Sequence, residues 1–372
     1  MNINMEKYLG ELEELVNIDS GSKTPHGVEK VCDILYKKFE DIGLIVKKHY
    51  INDNAGPCLE VRNKEGKDID ILILGHMDTV FGEGTVKERP FSMRENIAYG
   101  PGVIDMKSAL LSVYYVIKDV IEDNKIDKSI CIAFNCDEEI SSIYSRELLE
   151  ELGRNSKYAL VLEPARANGA FVASRKGVMK YKIDFSGVAS HAGNNHKEGK
   201  SAIQELAHWV LKLHELTNYD LETTVNVGVV SGGSSANVVC PSASCEVDVR
   251  VKTIDEANRI DKCINELLNN INTDGVSVKV SGGLSRPPME MTEKRRELHK
   301  LVEEIGKEEG INVHWTDAGG GSDGNIVASV GTPVIDAIGP IGGYGHNEKE
   351  YLEIDSVEPM ARLLKKLIEK LS

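Results

Sequence analysis

The run IDILILG at 69–75, closed by His76, decides how this chain is read. The pattern of a β-rich apolar run ending in a metal-binding type of side chain occurs twice more. ICIAFNC at 130–136 meets Asp137, Glu138 and Glu139, and YALVL at 158–162 meets Glu163. In open α/β sheets ligands gather at the carboxyl ends of strands. Residues far apart in sequence are therefore expected along one sheet edge, and an edge rich in imidazole and carboxylate points to a metal site.

Outward from these strands, helical and strand patterns alternate over the first 165 or so residues: helices near 4–17, 26–43 and 107–122, strands near 44–51, 57–63 and 69–75. The segment 178–285 reads as two βαβ-like units. Its two amphipathic helices should cover a sheet with Ile203, Leu206, Val210 and Leu213 on one and Ile260, Ile264, Leu267 and Ile271 on the other. SGGLSRPPME at 281–290 looks like an exit linker. After it a helix (292–309), short strands near 311–315 and 333–337 and a helix at 355–371 resume the first pattern. The expected fold is α/β. A discontinuous catalytic domain (1–177 and 286–372), with a mixed sheet covered by helices, receives an inserted smaller α/β domain at 178–285.

Length supports two domains, since 372 residues exceed the roughly 250–300 at which single cores stop growing. A formal charge of -15 and 5% aromatic residues disfavour nucleic acid and anionic membranes as partners. The start lacks a signal-peptide stretch, and seven cysteines without a CxxC pair suit packing as reduced thiols, so a cytoplasmic location is expected.

GHMDTV places His76 and Asp78 two apart on an extended stretch, where Asp78 can accept a hydrogen bond from the imidazole. Asp105, in GPGVIDMKSALL, either caps the following helix or bridges two cations. The triplet 137–139 is either a solvated acidic turn or a set neutralised by a cation, one glutamate binding metal and the other carrying protons. Glu163 precedes a proline that holds it extended, and His346 sits in GGYGHNE, a mobile-looking glycine loop. Together His76, Asp105, Glu139, Glu163 and His346 would supply one imidazole and one terminal carboxylate per metal and one shared carboxylate, balanced by two divalent ions and a hydroxide. GGGSDG could present the amides of Gly321 and Ser322 to a substrate or form a turn. His26, His49, His196, His208, His214, His299 and His314 match no motif.

The set GHMDTV, GPGVIDMKSALL, DEE, LEPA, GVASHAG, GGGSDG and GHNE resembles the di-zinc metallopeptidase family of glutamate carboxypeptidase, aminoacylase, peptidase T and succinyl-diaminopimelate desuccinylase. The resemblance implies that the five residues above are metal ligands, Glu138 the general base and Asp78 the partner of His76. It also implies a cis peptide after Asp105, a lid and dimerisation role for the insert, and an oxyanion contact from His191. Asn237 and Arg250 are similar in position to residues that hold a substrate carboxylate. The implied cofactor is a pair of divalent ions, zinc first, with cobalt or manganese as alternatives. The implied activity is amide hydrolysis, carboxypeptidase-like, on small peptides or N-acyl amino acids, by a homodimer. Aminoacylase, desuccinylase or tripeptide aminopeptidase action is the nearest rival, and a non-catalytic metal- or partner-binding protein a rival of another class.

Overall fold

The computed structural model describes residues 1–123 and 127–371. The chain is an α/β protein of two compact units. One comprises Met1–Ser174, Met291–Ala318 and Ser322–Ser372, and the other Arg175–Glu290 with Gly319–Gly321.

The first unit is built on a six-stranded mixed sheet in the order Ile45–His49, Cys58–Arg62, Ile130–Asn135, Ile69–His76, Ser156–Val161, Val334–Ile335. Ile69–His76 runs parallel to both neighbours, while Cys58–Arg62 joins antiparallel. Side chains alternate across a strand, so Ile71 and Ile73 enter the main core with Leu110 and Val113 of the Ser108–Glu122 helix. Leu72 and Leu74 are just as buried on the opposite face, where the Arg146–Arg154 and Asp323–Ser329 helices pack. Burial on both faces explains the uninterrupted apolar run, and each such side chain contributes about 1.5–3 kcal/mol. The three parallel strands thus end on one edge, with His76 in register beside Asn135.

A second sheet of this unit has no counterpart among the sequence expectations. It orders Ser92–Arg94, Ile97–Tyr99, Tyr351–Glu353, Gly339–Gly343 and Pro164–Ala165. Gly339–Gly343 and Tyr351–Glu353 pair antiparallel, so the residues between them, including His346, form a hairpin connection. These strands of two to five residues are rich in glycine and carry little periodic signal. The strand expected at 311–315 begins later, at Trp315–Ala318, because Ile311 and Val313 pack into the main core instead.

The second unit is a four-stranded antiparallel sheet, ordered Thr224–Gly232, Ser242–Val251, Gly177–Ser186, Ser277–Arg286, and its core includes the Ala202–His214 and Ile254–Leu268 helices. The apolar stripe of the first helix is rotated from expectation. Leu206, Trp209 and Leu213 are buried, whereas Ile203 is 43% exposed. The Gly282-Gly283 pair, read as opening a linker, lies inside the last strand, where a Cβ at Gly282 would stand 2.1 Å from the Lys180 carbonyl oxygen.

Candidate metal centre

His76 ends its strand 2% exposed. Its Nδ1 lies 2.9 Å from the backbone oxygen of Asp78 and 3.5 Å from that residue's carboxylate. Both the main chain and the carboxylate of Asp78 thus face this nitrogen, the side-chain contact expected from the sequence being the longer of the two. The Asp78 carboxylate instead accepts the amides of Glu138 and Glu139, both at 3.1 Å, and the Ser22 hydroxyl at 2.6 Å. It ties the end of one strand to the acidic turn after its neighbour. Turned the other way, His76 Nε2 lies 3.1 Å from Asp105 Oδ1 and 3.8 Å from Glu163 Oε1.

Asp105 does not cap the helix that follows it. The cap residue of that helix is Lys107, with no side-chain cap bond, and Asp105 itself has non-helical φ −117° and ψ 87°. The Asp105–Met106 peptide is cis, as the resemblance implies. Its carboxylate divides between two imidazoles, Oδ1 toward His76 and Oδ2 3.2 Å from His346 Nε2. His346 Nε2 also lies 3.0 Å from Glu139 Oε2. The glycines around His346 permit close packing: a Cβ at Gly342 would meet Ile104 Cγ1 at 2.7 Å, beside Asp105. His346 itself adopts φ 65°, a left-handed conformation that costs a non-glycine residue about 1–3 kcal/mol.

The acidic triplet separates into three environments. Asp137 is fully buried and accepts the Tyr144 amide at 2.7 Å, fastening the turn. Glu138 is buried, with a carboxylate oxygen grouped within 4.8 Å of atoms of His76 and Glu163. Glu139 Oε2 meets His346, while its buried Oε1 finds no hydrogen-bond partner among the described residues.

Three carboxylates and two imidazoles thus converge, with Glu138 beside them. Burial pulls the His76 imidazolium down, but the carboxylates of Asp105 and Asp78 outweigh it and hold the ring well above its usual value. Asp105 and Glu139 raise His346 to about 11, and burial pushes Glu139 up to about 7. A partnerless buried oxygen on Glu139 and an all-oxygen-and-imidazole donor set fit divalent ions. A cleft of about 370 Å³ lined by Asp105, Glu163, Tyr344 and His346 opens beside them.

In the second unit His191 Nδ1 accepts the amides of Gly193 and Asn194, both at 3.1 Å, so the ring proton resides on Nε2. Asn237 is its neighbour, its carbonyl accepting the Ala192 amide. Arg250 forms a two-pronged ion pair with Asp248 at 2.8 and 2.9 Å, engaging two of its five donors. Ser322 corrects an expectation. Its amide donates to Asn325 Oδ1 at 2.9 Å in a capping box, so it is not offered to a ligand. Gly321 is partly buried and groups with the second unit. Of the seven unassigned histidines, His299 is buried and stacked on Trp315, His49 pairs with Glu60, and His26, His196 and His214 are exposed.

Sequence reasoning missed Ser22, Lys107 and Glu350. Ser22 supports Asp78, as above. Buried Lys107 donates to the Ile18 carbonyl at 2.8 Å, and burial lowers it to about 7. Glu350, 1% exposed, accepts the amides of Gly102 and Ile104 at 2.9 Å and of Asp105 at 3.1 Å. Nothing in GHNEKE distinguishes it from the exposed Glu348.

Among the described residues no helix is long and apolar enough to cross a membrane. Carboxypeptidase G2 of Pseudomonas sp. (strain RS-16) is 27% identical over 366 residues, covering 96% of this chain and 87% of that protein. A tripeptidase of Staphylococcus aureus superposes with TM-score 0.82 at 23% identity over 99% of both chains. A Bacillus subtilis protein described as a dinuclear metal binding peptidase of the M20 family gives TM-score 0.71 at 14% identity, over 98% of this chain and 97% of that one. The model of peptidase family M20/M25/M40 matches residues 72–370. The chain therefore belongs to peptidase family M20/M25/M40 and is a metal-dependent hydrolase.

Proposed function

We propose that the chain is a two-metal amide hydrolase that acts as a carboxypeptidase on small peptides or N-acyl amino acids with a free carboxylate. One observation carries the two-metal reading. Asp105 turns one oxygen to each of two imidazoles, and each imidazole has a glutamate of its own, Glu163 beside His76 and Glu139 beside His346. Two divalent ions held by these five residues, zinc by this reading and cobalt or manganese as substitutes, would acidify a water and polarise the scissile carbonyl.

In the reaction Glu138 removes a proton from the attacking water and returns it to the leaving amine. Its backbone is anchored for this by Asp78. His191, with its proton on Nε2, donates to the developing oxyanion from the same or a partner chain. Arg250, steadied by Asp248, keeps donors for a substrate carboxylate, with Asn237 and Gly321 as further contacts. The 27% identity to a carboxypeptidase supports this substrate class. In this reading the inserted unit is lid and dimer contact, and its edge strand Thr224–Gly232, with Val229 and Val230 exposed, supports a homodimer.

The test is chelator-sensitive hydrolysis of a panel of small amides. Cleavage of N-blocked peptides with no cleavage of C-amidated ones is the expected result. The reverse pattern would make the protein an aminopeptidase, and bound metal without turnover on any amide would make it a binding module.

A further inference from the structure

The two halves of the centre are supported differently. His76 and Glu163 stand at the ends of adjacent parallel strands of the central sheet, whose backbone bonds fix their spacing. Asp105 and His346 lie on separate connections: the Ile97–Tyr99 strand that leads to Asp105 pairs with Tyr351–Glu353 of the hairpin, but this ladder ends at Tyr99 and Tyr351, short of both residues. Glu350 continues the link beyond it. It lies four residues beyond His346, where the hairpin enters the Tyr351–Glu353 strand. It reaches across to the loop bearing Asp105, with Oε2 accepting from Gly102 and Oε1 from Ile104 and Asp105. Gly102 is left-handed at φ 74°, and the converging amides form a concavity that favours an anion. A buried carboxylate satisfies three amides with two oxygens.

We propose that Glu350 is a positioning residue for one of the two metal positions: it sets the spacing of Asp105 and His346, and so governs the ion held by His346, Glu139 and Asp105 more than the ion held by His76 and Glu163. The inference rests on the two-metal reading. Glu350 touches neither ion nor substrate and acts through the loop. Glutamine at this position can keep the two bonds made by Oε1 but turns an NH2 group toward the Gly102 amide. Alanine leaves all three amides without acceptors, two of them in buried residues.

The test is zinc titration of the metal-free full-length protein by calorimetry, with bound zinc counted after dialysis and circular dichroism as a check on folding. Wild type should bind two zinc ions per chain. E350Q should keep one at wild-type affinity and bind the other about 10-fold more weakly, and E350A about 100-fold more weakly, with KM for substrate changed less than kcat at limiting zinc. If E350A does not fold, E350Q alone decides. Two sites of wild-type affinity in folded E350Q overturn the inference, as does equal weakening of both sites. Fewer than two zinc ions on wild type would instead overturn the two-metal reading beneath it.

Discussion

The strand-borne half of the centre and the loop-borne half differ in burial as well as in support. His76 is 2% exposed at the end of a core strand, whereas the His346 side chain is 56% exposed on a hairpin. The sheet places the first imidazole whether or not metal is present. The second depends on a left-handed backbone, tight glycine packing and the carboxylate of Glu350. On the proposed two-ion reading, one position is prepared by secondary structure and the other is assembled by tertiary contacts.

The largest effect is expected on the strand side, where Asp78 anchors Glu138. Glu138→Gln should lower kcat by about 10²–10⁴-fold and leave zinc stoichiometry at wild type, measured by steady-state kinetics beside metal analysis. Retention of most activity in the metal-loaded variant would remove Glu138 from the role of base. Next, His346→Ala and His76→Ala set the two halves against each other. Each should weaken one zinc site by more than about 100-fold, since even outer partners of a ligand are worth 10–100-fold. Only His76→Ala should also lower the unfolding midpoint of the metal-free protein, because it strips a buried ring from Asp78 and Asp105. Equal loss of stability in the two variants would erase the distinction.

A smaller effect follows from charge. In the metal-free chain the carboxylates hold His76 and His346 above the usual imidazole range. Both rings must shed protons to bind metal, so zinc affinity should rise with pH across neutrality with proton release. Calorimetry in buffers of different ionisation enthalpy checks this, and pH-independent binding would contradict it. A separate effect, on stability rather than on metal binding, lies away from the centre, at His299. Burial, with Arg295 adding, lowers its imidazole to about 4, while an unfolded histidine titrates near 6.5. The unfolded chain takes up the proton first. The stabilisation is therefore complete above about pH 6.5 and is lost as pH falls toward 4, by up to about 3 kcal/mol. His299→Gln should flatten the fall of the unfolding midpoint over that window.

The same contrast explains what the sequence disclosed. IDILILG, ICIAFNC and YALVL are long and apolar, so the central sheet and the histidine and carboxylates gathered at its edge were legible from pattern alone. Asp105 and His346 were nameable from their motifs, but the sheet that carries His346 was not, because strands such as GPIGG at 339–343 have no alternation to read. Asp78 was assigned to the right neighbour, but sequence spacing gives direction and cannot say that its main-chain oxygen will lie nearer the ring than its carboxylate. Ser322 and Glu350 show the same limit in opposite senses. The amide of the first is engaged by a residue three places on, and the second acquires its role only when a segment some 245 residues away folds against it.

The central claim is that Asp105 stands between two ions, and anomalous diffraction at the zinc edge from crystals of the zinc-loaded protein tests it most directly. Two peaks about 3.5–4 Å apart should flank the Asp105 carboxylate, one against His76 and Glu163 and the other against His346 and Glu139. A single peak in fully loaded crystals, or a pair that leaves Asp105 to one side, would contradict it.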